Sequence, residues 1–280
     1  MTEHDITTTE TKHNQRTGQS NAGSSNLVSR RATLVSTVAG IVGIGLGVVG
    51  TADRAAASGP GDQIWTSQPG KAFESSPTVV GGTIYIGGFQ NHCYAVDRQD
   101  GSTRWKADLG DYISSSPAVY DGTVYIGAWD GNLYALNAAD GTVQWAFPAG
   151  GLVTTSPVIK NGSLFVASGD GTLFAVDPQA GTERWHFETG SDTVRSSPVV
   201  ADGTVYFGAW NGKLHAVDAA TGEPEWAFQT DNEIKGSPTV ADSRVYVGSK
   251  DQHLYAVDAT TGRQEWAYEA GDNIESCSTV

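Results

Sequence analysis

Apolar and polar residues alternate in twos along most of the chain after residue 58, in short runs separated by turn sequences. In one representative stretch, the run 116–120 is followed by Asp121-Gly122 and then by the run 123–127. An Asp-Gly pair between alternating runs favours a two-residue β-hairpin, because both central residues need positive φ. Two further turn pairs, Asp130-Gly131 and Asp140-Gly141, each precede another alternating run. The stretch therefore predicts four short antiparallel strands, and no helical period occurs after residue 58.

This pattern repeats about every 40 residues. Six tryptophans follow one another at spacings of 40, 40, 40, 41 and 40: Trp65, Trp105, Trp145, Trp185, Trp226 and Trp266. Five prolines keep the same step: Pro77, Pro117, Pro157, Pro198 and Pro238. Four strands in about 40 residues are typical of a β-propeller blade. The sequence therefore predicts an all-β propeller of four-stranded antiparallel blades, in which stacked neighbours cover each other's apolar faces.

Five complete units can be counted, with a partial unit at each end. The complete units are 76–108, 116–148, 156–188, 197–229 and 237–269. A single tryptophan strand, Gln63–Gln68, precedes them, and a single first strand, Ser276–Val280, follows them. We expect these two pieces to pair as a partial sixth blade of a truncated or interrupted propeller.

The six evenly spaced tryptophans are expected to be structural. Each indole can bury about 150–250 Å² against the neighbouring blade while its N–H finds a carbonyl oxygen. We therefore interpret the series as blade-docking residues and not as a ligand cage.

The sequence of the N-terminal residues indicates an export signal and not a folded domain. Residues 1–28 are polar and are expected to be disordered. Residues 29–57 contain Arg30-Arg31, an apolar stretch from 34 to 50 that is short for a membrane span, and Ala55-Ala56-Ala57. This arrangement resembles a twin-arginine export signal, and an uncleaved membrane anchor is the alternative. The repeats occupy residues 58–280.

The charge balance of the chain argues against some classes of binding partner and indicates the protein's environment. The formal net charge is −14, and from Ser58 onward 27 acidic side chains stand against 12 basic ones. Proteins that bind nucleic acids through phosphates usually present a basic face, so a nucleic-acid partner is not expected. An acidic, lysine-poor surface stays soluble in concentrated salt, which predicts an extracellular protein from a salt-rich environment. An ordinary acidic secreted protein is the alternative.

The most regular repeats carry the motif Ala-Val-Asp-x-x-Thr-Gly-x-x-x-Trp, at 216–226 and again at 256–266. This motif resembles the tryptophan-docking repeat of the pyrroloquinoline-quinone (PQQ) family of propellers. The resemblance implies one of two functions. One class comprises PQQ- and calcium-dependent alcohol or sugar dehydrogenases with an adjacent-cysteine disulfide, whereas Cys93 and Cys277 here lie far apart. The other class is non-enzymatic and includes a protein-binding scaffold of bacterial outer-membrane assembly.

One variable position offers candidate binding residues. Three residues before each repeat proline, or at the matching place, stand Glu74, Ser114, Thr154, Arg195, Lys235 and Glu275. Because the innermost strands of a propeller line its axis, these side chains should surround one mouth of the central channel. The charged members Glu74, Arg195, Lys235 and Glu275 could hold a polar ligand or an ion. The alternative is a solvated ion-pair network, in which each pair contributes about 0–1 kcal/mol.

A second variable position, at the end of each second strand, holds Phe89, Trp129, Gly169, Trp210 and Lys250. Trp129 and Trp210 lie outside the 40-residue series, so blade docking does not account for them. If exposed, they would contact a partner or a flat ligand; if packed over a turn, they belong to the core.

No cluster of metal-ligating residues, nucleophile elbow or phosphate-binding loop occurs in the sequence. We therefore expect an exported, non-enzymatic scaffold that binds a protein or a polar small ligand outside the cell or at its surface. No cofactor, metal or catalytic residue is predicted. PQQ and calcium enter only under the alternative, a fragment of a quinoprotein dehydrogenase, and a membrane only if the N-terminal segment is retained.

Overall fold

The computed structural model describes residues 53–54, 63–67, 72–88 and 90–276, with residues 53–54 described as backbone only. All of them belong to the compact unit Val48–Val280. Arg30-Arg31, the rest of the expected export segment up to residue 52, Phe89 and Cys277 lie outside the described residues. Within the described ranges, no helix is long and apolar enough to cross a membrane.

The described strands form five four-stranded antiparallel sheets and one two-stranded sheet. The two-stranded sheet contains β1 (Asp53–Arg54) and β2 (Trp65–Thr66). The first blade contains β3 (Thr78–Val80), β4 (Thr83–Gly88), β5 (His92–Asp97) and β6 (Thr103–Asp108). The second contains β7 (Ala118–Tyr120), β8 (Thr123–Gly127), β9 (Asn132–Asn137) and β10 (Val143–Pro148). The third contains β11 (Val158–Lys160), β12 (Ser163–Ala167), β13 (Thr172–Val176) and β14 (Glu183–Glu188). The fourth contains β15 (Val199–Ala201), β16 (Thr204–Gly208), β17 (Lys213–Asp218) and β18 (Pro224–Gln229). The fifth contains β19 (Thr239–Ala241), β20 (Arg244–Gly248), β21 (His253–Asp258) and β22 (Gln264–Glu269). The expected all-β propeller with five complete blades is confirmed.

The turn chemistry explains the hairpins. Asp121 and Gly122 both have positive φ, 47° and 73°, as the tight turn between β7 and β8 requires. Asp242 and Ser243 keep the same turn at 49° and 60°, although serine replaces the usual glycine. The turn geometry therefore persists where its sequence signal is weakest.

Serines before the repeat prolines join neighbouring blades. The backbone N–H of Ser76 donates to the hydroxyl oxygen of Ser116 at 2.8 Å, and Ser116 donates in the same way to Ser156 at 3.0 Å. Ser156 donates to Ser197, and Ser197 to Ser237, each at 2.8 Å. This series of bonds fixes the spacing of the innermost strands around the axis.

The core lies between blades. One cluster combines Tyr85, Ala95 and Trp105 of the first blade with Val124 and Ile126 of the second. The apolar faces of consecutive sheets therefore cover each other, as the alternating pattern predicted.

Five of the six evenly spaced tryptophans dock on the next blade. Their indole N–H groups donate to the carbonyl oxygens of Arg98, Ala138, Pro178, Ala219 and Ala259 at 2.9–3.3 Å, for Trp65, Trp105, Trp145, Trp185 and Trp226 respectively. Each of these rings covers a glycine with positive φ, where a Cβ would stand 2.5–2.7 Å from the indole: Gly101, Gly141, Gly181, Gly222 and Gly262. The turn glycine before each blade's last strand is thus the contact point for the preceding tryptophan of the series, whether Asp, Ala or Thr comes before that glycine.

At the start of the repeat array, β2 pairs with β1 through Asp53↔Thr66 and Arg54↔Trp65. The expected pairing of this strand with Ser276–Val280 falls on residues 277–280, which lie outside the described residues, and stays a prediction. Trp266 is 41% exposed, and none of the described residues covers it as the next blade covers the other five indoles. Its docking role stays a prediction.

Candidate functional site

At one end of the blades, the loops that lead into the first strands contact the turns that follow the second strands, and we call this face the mouth. It contains the two variable columns, for example Ser114 and Trp129 in the second blade and Arg195 and Trp210 in the fourth. In four blades, the loop that enters the first strand accepts a backbone hydrogen bond from the residue in the second variable position. These bonds are Trp129 to Tyr112, Gly169 to Leu152, Trp210 to Thr193 and Lys250 to Glu233, at 2.8–3.1 Å. In these four blades, the second variable column is therefore held against the loop that also carries the first variable column, two residues after each acceptor.

Three of the charged residues that the sequence selected meet at the fourth and fifth blades. The guanidinium carbon of Arg195 lies 5.1 Å from the ring centroid of Trp210, and the Nζ of Lys235 lies 5.2 Å from it. Lys235 also lies 3.2 Å from a carboxylate oxygen of Glu275. Glu74 is exposed and forms no ion pair with any described residue. The expected ring of charge is thus an arc, concentrated on one side of the mouth.

The two additional tryptophans are half-buried, which lies between the two outcomes considered above. Trp129 donates its indole N–H to the hydroxyl oxygen of Ser114 at 2.9 Å and packs edge-on against Tyr112, with ring centroids 5.8 Å apart. Tyr112 itself is 43% exposed, so an aromatic pair borders the mouth at the second blade.

Two further charged residues belong to this site: Lys250, which the second variable column contains but which was not among the binding candidates, and Glu233, which the sequence analysis missed. The Nζ of Lys250 donates to a carboxylate oxygen of Glu233 at 3.0 Å, and this bond raises the pKa of Lys250. Lys235 lies 3.9 Å from the same carboxylate. Position 233 belongs to a third variable column, five residues before the repeat proline, which also holds Tyr112 and Thr193. Variation in that column was the signal that could have identified Glu233.

Two polar atoms at the mouth lack a hydrogen-bond partner among the described residues. They are the indole nitrogen of Trp210 and the hydroxyl oxygen of Thr154, and both are buried. Trp210 and Trp129 occupy the same repeat position, but Arg195 stands where Ser114 accepts the bond from Trp129. A guanidinium has no acceptor atom, so the N–H of Trp210 remains unpaired.

The mouth does not fit the calcium site that the dehydrogenase class requires. Calcium prefers several oxygen ligands, chiefly carboxylates and carbonyls. The carboxylates of Glu233 and Glu275 lie 3.0–3.9 Å from the ammonium groups of Lys235 and Lys250, which compete for the same oxygens. Within the described ranges, no group of three or more His, Cys, Asp or Glu side chains could hold a metal ion.

A cavity of about 580 Å³ lies between loops of the first blade and the loop that leads into the first strand of the second blade. It is bordered by Ala72, Gln90, Asn91, His92, Gly110, Asp111 and Tyr112. The aromatic pair Tyr112–Trp129 therefore stands beside a concave part of the surface.

Comparison with known proteins agrees with the fold. A family model described as "Outer membrane protein assembly factor BamB" matches residues 47–197 and 189–279. No curated protein sequence is similar enough to count as a match. Among solved structures, BamB from Moraxella catarrhalis is 26% identical with a TM-score of 0.62, over 70% of this chain and 61% of that one.

Two more distant structures share the fold alone. The computationally designed protein Ika8 is 16% identical with a TM-score of 0.65, over 72% of this chain and 64% of that one. The quinohemoprotein alcohol dehydrogenase ADHIIG from Pseudomonas putida HK5 is 21% identical with a TM-score of 0.60, over 70% of this chain and 42% of that one. The present chain spans less than two thirds of each of these three structures. The family match covers most of the chain and coincides with the docking repeats, and this protein therefore belongs to the BamB family of PQQ-like repeat propellers.

Proposed function

We propose that this protein is an exported, non-enzymatic propeller scaffold that binds a partner protein at the mouth. The observation that carries the proposal is the mouth itself: Arg195 and Lys235 lie over the ring of the half-buried Trp210, and Glu275 pairs with Lys235. Aromatic and arginine side chains dominate the energetics of protein interfaces. Membership in the BamB family supports a scaffold role, since the family is described as an assembly factor.

A photo-crosslinking experiment tests the site of binding. Benzoylphenylalanine is placed at Tyr112, which is 43% exposed at the mouth, or at Val143, which is 49% exposed on the outermost strand of the same blade. In cells of the source organism, position 112 should yield a discrete adduct with one partner protein, and position 143 should not. The same adducts from both positions, or none from position 112, would contradict binding at the mouth.

An activity assay separates the scaffold from the dehydrogenase alternative. Purified protein is incubated with PQQ and calcium, and dye reduction is followed with alcohols and with sugars. We expect no turnover, because lysine ammonium groups compete for the carboxylates at the mouth. Turnover that depends on the added cofactor would overturn the non-enzymatic proposal.

Export is proposed through the twin-arginine route, on the basis of Arg30-Arg31 and the weak apolar stretch after them. Replacing both arginines by lysine should retain the protein inside the cell, and the N-terminus of exported protein should lie near Ser58. An intact Met1 on a membrane-bound product would instead indicate an anchor. The salt-rich habitat stays a prediction, which circular dichroism tests by asking whether molar salt strengthens the β-sheet signal.

A further inference from the structure

Three cationic side chains collect around the indole of Trp210 on one side of the mouth. We call Arg195, Trp210, Lys235 and Lys250 the basic cluster. Arg195 and Lys235 both lie over the ring of Trp210, at 5.1 and 5.2 Å from its centroid. The cluster stands in a chain whose net charge is −14, in which lysine and arginine are scarce. Such a local concentration of cations favours the binding of an anionic group at this position.

The internal carboxylates balance only part of this cluster. Glu233 and Glu275 lie within 3.0–3.9 Å of the ammonium groups of Lys235 and Lys250. Arg195 has no carboxylate within ion-pair distance among the described residues. Three cations against two carboxylates leave one positive charge, located on an exposed guanidinium.

The comparison between blades shows which group is missing. In the second blade, the hydroxyl oxygen of Ser114 accepts the indole N–H of Trp129. In the fourth blade, Arg195 replaces that serine, and the indole N–H of Trp210 is buried without an acceptor in the described part of the chain. A buried donor without an acceptor is costly, so an incoming acceptor would gain both this N–H and the guanidinium.

We propose that the basic cluster binds a carboxylate group, presented by an acidic segment of a partner polypeptide. Two oxygen atoms of one carboxylate match the fork of Arg195 in bidentate geometry. A single negative charge also matches the single unbalanced positive charge. A phosphate group also fits a guanidinium fork, so inorganic phosphate is the competing ligand in the test. This proposal rests on the proposed scaffold function and specifies the chemistry of its partner.

The test uses an acidic peptide, acetyl-pentaglutamate, and succinate as a free dicarboxylate. Binding is followed through the indole N–H signals of the protein in ¹⁵N correlation spectra, with the Trp210 signal assigned by Trp210→Phe. Either carboxylate should shift the Trp210 signal downfield as the N–H gains an acceptor. Tighter binding of the peptide is the expected result and indicates a polypeptide source. Equal binding per carboxylate would keep carboxylate recognition but contradict the polypeptide source.

Two variants make the assignment specific. Arg195→Ser recreates the serine–tryptophan arrangement of the second blade, so it should fold and should weaken carboxylate binding at least about tenfold, as the loss of one charge-assisted hydrogen bond would. Arg263→Ser removes the same charge from an exposed outer turn and should leave binding within about twofold.

Three results would overturn the proposal: no shift of the Trp210 signal, equal binding by Arg195→Ser, or equally tight binding of inorganic phosphate. The scaffold function is judged separately, by the crosslinks from position 112. A site-specific crosslink without carboxylate binding would reject only the chemistry proposed here.

Discussion

His215 makes the stability of the fourth blade dependent on pH. It lies on β17 and is 5% exposed, stacked at 5.3 Å on Phe207 and edge-on at 5.4 Å to Phe187. Its Nε2 has no hydrogen-bond partner among the described residues. Burial lowers the pKa of His215 to about 4, with a smaller contribution from Lys213. The same repeat position holds Phe174 in the third blade, so phenylalanine is a matched replacement.

The direction of the pH effect follows from the lowered pKa. At pH values well above 6.5 the imidazole is neutral in both the folded and the unfolded protein, and its titration does not affect stability. As the pH falls, the unfolded chain takes up a proton near the ordinary histidine pKa of 6.5, whereas the folded protein does so only near 4. The free energy of unfolding should therefore decrease by roughly 2–3 kcal/mol between about pH 7.5 and pH 4.5 through this residue alone.

His215→Phe should remove this component of the pH dependence. At neutral pH the variant should be at least as stable as the wild type, because replacing an unpaired buried nitrogen saves about 1–3 kcal/mol against a modest packing cost. Urea unfolding of both proteins across this pH range measures the difference. His186, whose pKa is raised chiefly by its hydrogen bond with Glu183, contributes equally to both and cancels. Equal losses of stability on acidification in the two proteins would refute the reasoning.

Two further predictions concern blade docking. Trp105→Ala should lower the free energy of unfolding by about 3–5 kcal/mol, whereas Trp266→Ala should cost less than about 2 kcal/mol, because the latter side chain is already 41% exposed; equal losses in urea unfolding would contradict the docking account. Gly222→Ala should cost about 1–3 kcal/mol more than Gly203→Ala. Both glycines have positive φ, but only at position 222 would a Cβ lie close to the docked indole, at 2.7 Å. Equal stabilities of the two variants in thermal or urea unfolding would show that the indole does not require a glycine beneath it.

The sequence allowed part of the mouth to be predicted. The column three residues before the repeat proline identified Arg195 and Lys235, which the structure places over Trp210, and Glu275, which it pairs with Lys235. Glu74 belongs to the same column but forms no ion pair with the described residues, because repeat equivalence fixes a position on the propeller and not a neighbour of opposite charge. Which variable columns face each other could not be read from spacing, so Glu233 was missed.

The contact point of each docking tryptophan was likewise hidden in the sequence. The glycine before each tryptophan read as a turn residue, and it does have positive φ. That it also receives the indole of the preceding blade, as Gly222 receives Trp185, depends on a contact between residues 37 positions apart. Local propensity carries no information about such a contact.

The sequence alone determined the strands, their turns, the five blades and the family-like repeat, because alternation in twos and Asp-Gly turns are local properties of the chain. Only the tertiary structure decided that Trp266 stays exposed, that the serines link the innermost strands, and that the indole N–H of Trp210 lacks an acceptor among the described residues. These features arise where neighbouring blades and loops meet. Whether a polar or apolar group is covered, paired or left open there depends on residues that are distant in the chain.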